Sequence, residues 1–489
     1  MMSNRSFQVV FLLITFLMLT PQEMRADTSQ DVVSDSKDRK QKNVILIAID
    51  DLNDWVGCLD GHPQAHSPNI DRLAERGTLF TNAHCQAPIC NPSRASIMYG
   101  IRPSTSGVYM NSPKPWTVPA LKNRVTLPRH FAANGYKTYT TGKIYHASGL
   151  PENDFEVVGP RPGQKNKLDK RLVPPTPDGA KGLWDFGGQT YDEKLFNDYV
   201  TASWAIEQLE SHASADEDRP FFMAIGFYRP HVPFYAPSRV MKELPIDQVE
   251  LPKVIEGDRD DIPAIAGKLM VAPVAPDHAW FVESGRWKEA VQSYLACIRY
   301  TDEQVGRLLD TIDQGELGDN TIVILYSDHG FFLGEKDRWA KQALWENATR
   351  VPFIVVNPGG KKRAICNQPA ELISIYPTLI ELCGLAAQPG LEGSSLVPLL
   401  NNADAAWPHV ALTTHGKDNH SVRTETHRYI RYRDGSEELY DLRSDPHEWQ
   451  NLATEPRFQA MKDYMAKSFP KINVDLETAK LKKQNKRQK

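Results

Sequence analysis

Cys90-Asn91-Pro92-Ser93-Arg94 places a thiol two residues before a proline and four before an arginine. Pro92 lacks an N–H and fixes its own φ, so the turn is rigid. The following Ser-Arg-Ala-Ser-Ile-Met run is compatible with a helix opening after that stop. A helix N-terminus favours negative charge, and Arg94 adds a forked donor for an oxyanion. The segment reads as an anion-binding turn with a sulfur atom at its lip. Acid sits at two further points. A continuous apolar run from Asn43 ends in Asp50-Asp51, and a second, from Thr321, leads into Asp328-His329. Either pair alone reads as solvated loop acid. Delivered together at one edge of a sheet, beside an anion turn, the four side chains would suit a hard divalent cation.

Lys143, His146, His231 and Lys341 each follow an expected strand or lie in a Gly/Pro-rich turn. One such residue alone is ordinarily just a polar side chain on the surface. Together they would form a positive rim for an anionic ester. His231, in Arg229-Pro-His-Val-Pro233, is the candidate proton donor to a leaving group. Two other cysteine chemistries are disfavoured by spacing. His62, His66, His84-Cys85 and Cys90 match no standard zinc finger. A thiolate phosphatase needs an arginine six residues after its cysteine; Asn91 follows Cys85 and Ser96 follows Cys90 at that distance.

These residues need a scaffold of buried strands. Residues 43–50, 136–141, 221–227 and 321–326 read as strands, the first as a buried parallel one whose carboxyl end is where ligands bind. Helices are expected over 69–76, 126–134, 193–210, 287–312 and 370–385. Residues 150–188 and 237–278 lack periodicity and read as irregular insertions. Beyond residue 408 short polar strands, such as 429–433 and 439–442, predict an antiparallel sheet closed by a helix over 458–469. The expected architecture is α/β, a catalytic domain over 40–400 with a smaller C-terminal α+β subdomain over 405–472.

The bulk properties allow this. At 489 residues, with 41% hydrophobic and 24% charged, the chain has the composition of a globular protein. A net charge of −4 gives no reason to expect nucleic acid; only the tail over 473–489 is basic. Arg5 followed by the short apolar run Phe7 to Leu19 reads as a signal peptide over 1–26. Export, to a periplasmic, extracellular or lysosome-like compartment, without stable membrane insertion is therefore expected. The six cysteines are scattered, and no disulfide is assigned among them.

Taken together, the motifs resemble a sulfatase of the alkaline-phosphatase superfamily, and within it the iduronate-2-sulfatase group. The resemblance rests on Ile49-Asp-Asp-Leu52, Ser67-Pro-Asn-Ile-Asp-Arg-Leu73, Cys90 to Arg94, Thr141-Gly-Lys-Ile-Tyr-His146 and Gly226-Phe-Tyr-Arg-Pro-His-Val-Pro233. It continues through Ser327-Asp-His-Gly-Phe-Phe-Leu-Gly-Glu335, Trp339-Ala-Lys341 and Glu438-Leu-Tyr-Asp-Leu-Arg-Ser-Asp-Pro446. It implies an alkaline-phosphatase-like large mixed sheet flanked by helices. It also implies that Cys90 is oxidised to formylglycine (3-oxoalanine) by a modifying enzyme, and that the aldehyde hydrate provides the nucleophile. Calcium (Ca2+) would be held by Asp50, Asp51, Asp328, His329 and the modified Cys90. Arg94, Lys143 and Lys341 would stabilise charge on sulfate, His146 would orient the diol, and His231 would protonate the leaving oxygen. Lys143, His231, Trp339 and Lys341 would contact a sulfated oligosaccharide from a glycosaminoglycan or an algal polysaccharide. Met98-Tyr-Gly-Ile101, with Arg102 displaced by one, departs from the Leu-Thr-Gly-Arg that the family's modifying enzyme reads. The other readings are a phosphate or phosphonate monoesterase of the same superfamily and an unmodified, catalytically silent sugar-binding protein.

Overall fold

The computed structural model describes residues 41–146, 149–162, 171–174, 183–214, 219–269, 275–314 and 317–475. The expected signal peptide, and the basic tail past residue 475, lie outside the described residues. From Gln41 onward the chain clusters as one unit.

Its main sheet is built from β1 (Asn43–Ile49), β2 (Thr78–Phe80), β3 (Lys137–Gly142), β4 (Val157–Val158), β5 (Phe221–Phe227), β6 (Thr321–Ser327), β7 (Phe353–Val356) and β8 (Ala364–Cys366). Their spatial order is β8-β2-β7-β6-β1-β5-β3-β4. β7 runs antiparallel to both its neighbours, and the other pairings are parallel, so the sheet is mixed. The unbroken apolar run of β1 is explained by its central place: all seven residues are buried. Because side chains alternate across a strand, Ile45, Ile47 and Ile49 enter one core while Val44, Leu46 and Ala48 enter another.

Helices cover both faces. The helix α1 (Cys90–Tyr99) packs on the side of Val44, Leu46 and Ala48. On the opposite face lie α2 (Asn197–Ser214) and the 27-residue α3 (Trp287–Asp313), which contributes Val291, Tyr294, Leu308 and Leu309 to the core. The C-terminal part is a four-stranded antiparallel meander, β9 (Ala411–Thr414), β10 (His420–Arg423), β11 (His427–Arg431) and β12 (Glu437–Asp441). It is closed by α4 (Gln459–Ala466), whose Met465 joins Val422, Tyr429 and Leu439. Buried Arg428 on β11 fastens this sheet to the large domain through Glu346, with Glu448 2.6 Å from its Nε.

Several expectations need correction. The helix at the Cys90 motif begins at Cys90 itself, not after Pro92, with Ser93 N donating to Ile89 O at 3.1 Å. Pro92 is tolerated there because the first-turn N–H groups have no helical partner to lose. Over 370–385 only Ile375–Leu382 is α-helix; a two-residue strand and a tight 3-10 turn precede it. The segment 150–188 is not merely a surface insertion, since β4 extends the main sheet and Trp184 is buried edge-on against Phe234 and Trp339. The irregular stretch 237–278 contains the short helices Ser238–Met241 and Ala264–Leu269. Among the described residues all six cysteines are free thiols, and no helix is long and apolar enough to cross a membrane.

Candidate active site

β1 and β6 are adjacent and parallel, with Ile49 opposite Ser327, so Asp50-Asp51 and Asp328-His329 leave the sheet side by side. Alternation along an extended strand would send Asp50 and Asp51 to opposite faces. The chain avoids this by turning Asp51 into the left-handed region, φ 63°. Both carboxylates then reach one place: single ligand atoms of Asp50, Asp51, Cys90 and His231 all lie within 4.8 Å of one another, as do those of Asp50, Cys90, Asp328 and His329. Main-chain N–H groups lock the two loops, Asp51 N donating to the Asp328 carboxylate Oδ1 (3.2 Å) and Asp328 N to Ile49 O (3.3 Å).

Cys90 lies in the first turn of α1 and points into this cluster. Its Sγ is 3.2 Å from His329 Nε2, 3.3 Å from Lys341 Nζ, 3.8 Å from Lys143 Nζ and 4.0 Å from Asp51 Oδ1. Lys143, at the end of β3, pairs with Asp50, and Lys341 with Asp51. Lys143 also lies over the Tyr228 ring, 5.0 Å from its centroid. Arg94, one turn along α1, is 1% exposed. Its Nε donates to Asp328 Oδ2 (2.7 Å), Nη2 to Asp50 Oδ1 (3.1 Å), and Nη1 to the carbonyls of Lys143 and Ile144. The fork expected to meet sulfate therefore holds two carboxylates in place. Ser93 adds a bond to Asp328 O (2.5 Å).

The electrostatics follow from packing so much charge out of water. Burial alone would raise the Asp50 carboxyl, but Lys143, His231 and Arg94 hold it well below the usual range. Burial, with Asp50 close by, pushes Asp51 up to about 7 despite Lys341. Burial opposes a Cys90 thiolate, yet Lys143 and Lys341 draw the thiol well below its ordinary value. Burial would lower His329, but Asp328 carries it up to about 9. Burial and Lys143 push His231 well below the normal histidine range.

The donor set fits a hard divalent cation. It is rich in carboxylate oxygen, and among the described residues the buried Asp51 Oδ2 has no hydrogen-bond partner. His329 Nδ1 lies 3.0 Å from Gly330 O, and since a carbonyl only accepts, Nδ1 carries the proton. Its Nε2 is thereby left facing the cluster. The same reasoning applies to His231, whose Nδ1 lies 2.6 Å from Val232 O, leaving Nε2 towards Asp51 Oδ2 at 3.9 Å.

Two expected site residues stand apart. Among the described residues His146 enters none of the cluster's hydrogen bonds or ion pairs, and its buried Nδ1 has no hydrogen-bond partner. Trp339 is 2% exposed, stacked on Phe281 with centroids 3.6 Å apart, its Nε1 3.0 Å from His278 Nδ1. It supports the short strand leading to Lys341 and does not line an open surface. Asp198, at the start of α2, was not singled out from the sequence. It accepts the N–H groups of Tyr228 (2.6 Å) and Arg229 (2.9 Å) and so fixes the loop bearing His231. Its position two residues into a helix looks like ordinary N-terminal acid. A cleft of about 750 Å³ between the two sheets is lined by Asp54, Glu346, Arg350 and Arg423 but by none of the Cys90 cluster. Its charges pair internally, Arg350 with Asp54 at 3.0 Å and Arg423 with Glu346 at 3.3 Å.

Comparisons with known proteins agree with this geometry. Residues 42–385 match the sulfatase family model, and residues 334–475 match the model of the N-sulphoglucosamine sulphohydrolase C-terminal region. A sulfatase of Formosa agariphila is 38% identical over 95% of this chain and 92% of its own length. Iduronate 2-sulfatase of Homo sapiens is 31% identical, covering 85% of this chain and 78% of its own. Among solved structures, BT4656 in complex with its substrate D-glucosamine-2-N,6-O-disulfate superposes with a TM-score of 0.70 at 22% identity, over 88% of this chain and 96% of that one. That likeness establishes the alkaline-phosphatase-like fold. With a family model spanning most of its length, and relatives above 30% identity on the same residues, the chain belongs to the sulfatase family, enzymes that hydrolyse sulfate esters.

Proposed function

We propose that this sulfatase removes sulfate from a sulfated sugar of a glycosaminoglycan or algal polysaccharide fragment, in the manner of iduronate 2-sulfatase, using calcium and a formylglycine made from Cys90. The observation that carries the reading is the place of Cys90. Its buried sulfur sits within 4.0 Å of Asp51, His329, Lys143 and Lys341. Such a focus of both charge signs suits a nucleophile that must meet an anion and a cation at once.

Calcium, held by Asp50, Asp51, Asp328 and His329, would supply Lewis-acid polarisation of the sulfate oxygens. The aldehyde hydrate would supply one hydroxyl that attacks sulfur and a second through which sulfate is let go, where a serine ester would persist. The chain's own residues do the rest. Lys143 and Lys341 flank position 90 and offer positive charge where the transferring sulfate gathers negative charge. Arg94 fixes Asp50 and Asp328 so that their oxygens need not reorganise. His231 Nε2 faces the site and is the proton donor to the departing sugar oxygen. Its low proton affinity in the free protein arises from burial and Lys143, and an anionic ester bound beside it would oppose both. His146 is assigned an orienting role at the diol and Trp339 a supporting role at the sugar end of the site.

The test is peptide mass spectrometry of active protein, in which the Cys90 peptide should carry the mass loss of thiol-to-aldehyde conversion. Active protein with an unmodified thiol would sink the mechanism. Aryl sulfate should be turned over in preference to aryl phosphate; the reverse would favour a phosphate or phosphonate monoesterase. Defined sulfated disaccharides then identify the sugar.

A further inference from the structure

Asp51 stands in a left-handed backbone conformation that is unfavourable for a non-glycine residue, and that conformation brings its carboxylate beside that of Asp50. Something must hold the turn there, and the structure shows two buried hydroxyls at the place. Tyr294, on the third turn of α3, donates from its hydroxyl to Asp51 O (2.7 Å) and accepts from Asn53 N (3.0 Å). Its single oxygen spans the turn, closing the carbonyl before Leu52 and the N–H after it. Ser327, the last residue of β6, accepts from Leu52 N (3.0 Å) and donates to His329 O (2.9 Å). It thereby ties the Asp50-Asp51 loop to the Asp328-His329 loop. Both residues are fully buried, and among the described residues their hydroxyls bond main-chain atoms and not Cys90 or a carboxylate oxygen. The Tyr294 ring is itself immobilised by Phe331 stacked at 5.7 Å and by Trp55 and Phe234 edge-on. The hydroxyl is therefore delivered at a fixed point.

We infer that Tyr294 and Ser327 are positioning residues for the cation: their hydroxyls hold the left-handed turn at Asp51 and so aim its carboxylate, with those of Asp50 and Asp328, at one ion. This rests on the calcium reading of the site. Without the Tyr294 hydroxyl the ring still packs, but Asp51 O and Asn53 N lose their partner and the turn can relax towards extended backbone. In that conformation Asp51 points to the other face of the sheet.

The experiment compares the full-length wild-type protein with Tyr294→Phe, Ser327→Ala and a control, Tyr300→Phe. Tyr300 lies on the same helix, is equally buried, and bonds to Glu193 O (3.4 Å) away from the site. Each protein is stripped with EDTA, its thermal unfolding is recorded, and calcium chloride is titrated by calorimetry. Loss of an outer support typically weakens metal binding by about 10- to 100-fold. That weakening is expected for Tyr294→Phe and Ser327→Ala, with turnover recovering as calcium is raised, while Tyr300→Phe binds calcium as wild type does. Wild-type calcium affinity in Tyr294→Phe and Ser327→Ala, whatever their stability, would overturn the inference. If wild type binds no calcium while remaining folded and active, the calcium reading itself falls and the inference with it.

Discussion

Arg94→Met is the substitution that most directly probes how the site is held together. Methionine keeps the length and apolar stem of the side chain but removes every donor. Four N–H bonds are lost: to Asp328 Oδ2, Asp50 Oδ1 and the carbonyls of residues 143 and 144. The losses are unequal. Asp50 retains Lys143, whereas among the described residues the Asp328 carboxylate keeps the backbone N–H of Asp51 and the His329 ring 3.7 Å away. The cost is therefore that of stranding one buried carboxylate, about 3–5 kcal/mol, with Asp50 adding little. Arg94→Lys should fall between, because one ammonium reaches one carboxylate but cannot fork between two. The assay is urea unfolding followed by near-ultraviolet circular dichroism, carried out in EDTA so that a bound cation does not replace the missing charge. A loss under about 1 kcal/mol, the scale of a solvent-exposed pair, would refute the claim that Arg94 neutralises a water-free carboxylate cluster. So would Arg94→Lys matching wild type.

Three further outcomes are expected. Cys90→Ser should abolish turnover of aryl sulfate while leaving the fold and thermal midpoint nearly unchanged; retained turnover would remove Cys90 from the chemistry. His231→Gln should slow hydrolysis of sulfated sugars by about 10²–10⁴ and slow activated aryl sulfates far less, since a good leaving group needs no proton; equal losses on both would dismiss His231 as the donor. Calcium affinity, measured by calorimetry, should rise between pH 6 and pH 9. His329, carried up to about 9, and Asp51, pushed up to about 7, must both lose protons before they bind a cation, so uptake releases protons and is favoured as pH climbs. Affinity flat or falling over that range would contradict this.

The carboxylates and imidazole of the cluster were legible because two independent signals coincided at each: an apolar run long enough for a buried strand, and acid at its end. Asp50, Asp51, Asp328 and His329 all came from that pairing, and the parallel register of β1 and β6 makes it spatial. What escaped lacked such a signal. β4 is two residues long, too short for any period, and lies within Pro- and Gly-rich chain. Asp51 adopts positive φ with no glycine to announce it. Tyr294 is one aromatic among many on an amphipathic helix, and nothing local distinguishes a core ring from one whose hydroxyl meets the Asp51 carbonyl. Arg94 was found as a forked donor beside a thiol, a feature that suits a carboxylate and a sulfate equally well, and its bonds to Asp50 and Asp328 follow from the packing of α1 against β1 and β6.

Every one of the ten residues of α1 is buried, from Cys90 to Tyr99. Any protein that acts on the Cys90 side chain must therefore meet this segment while it is still unpacked. If Cys90 is converted to formylglycine, as proposed, maturation would be a kinetic competition: the faster the sheet closes over α1, the shorter the interval in which Cys90 is open to another protein's chemistry. Molecules that fold first would be well formed and inert, so the active fraction of a preparation would report the history of its chain, a quantity that no measurement of thermodynamic stability contains.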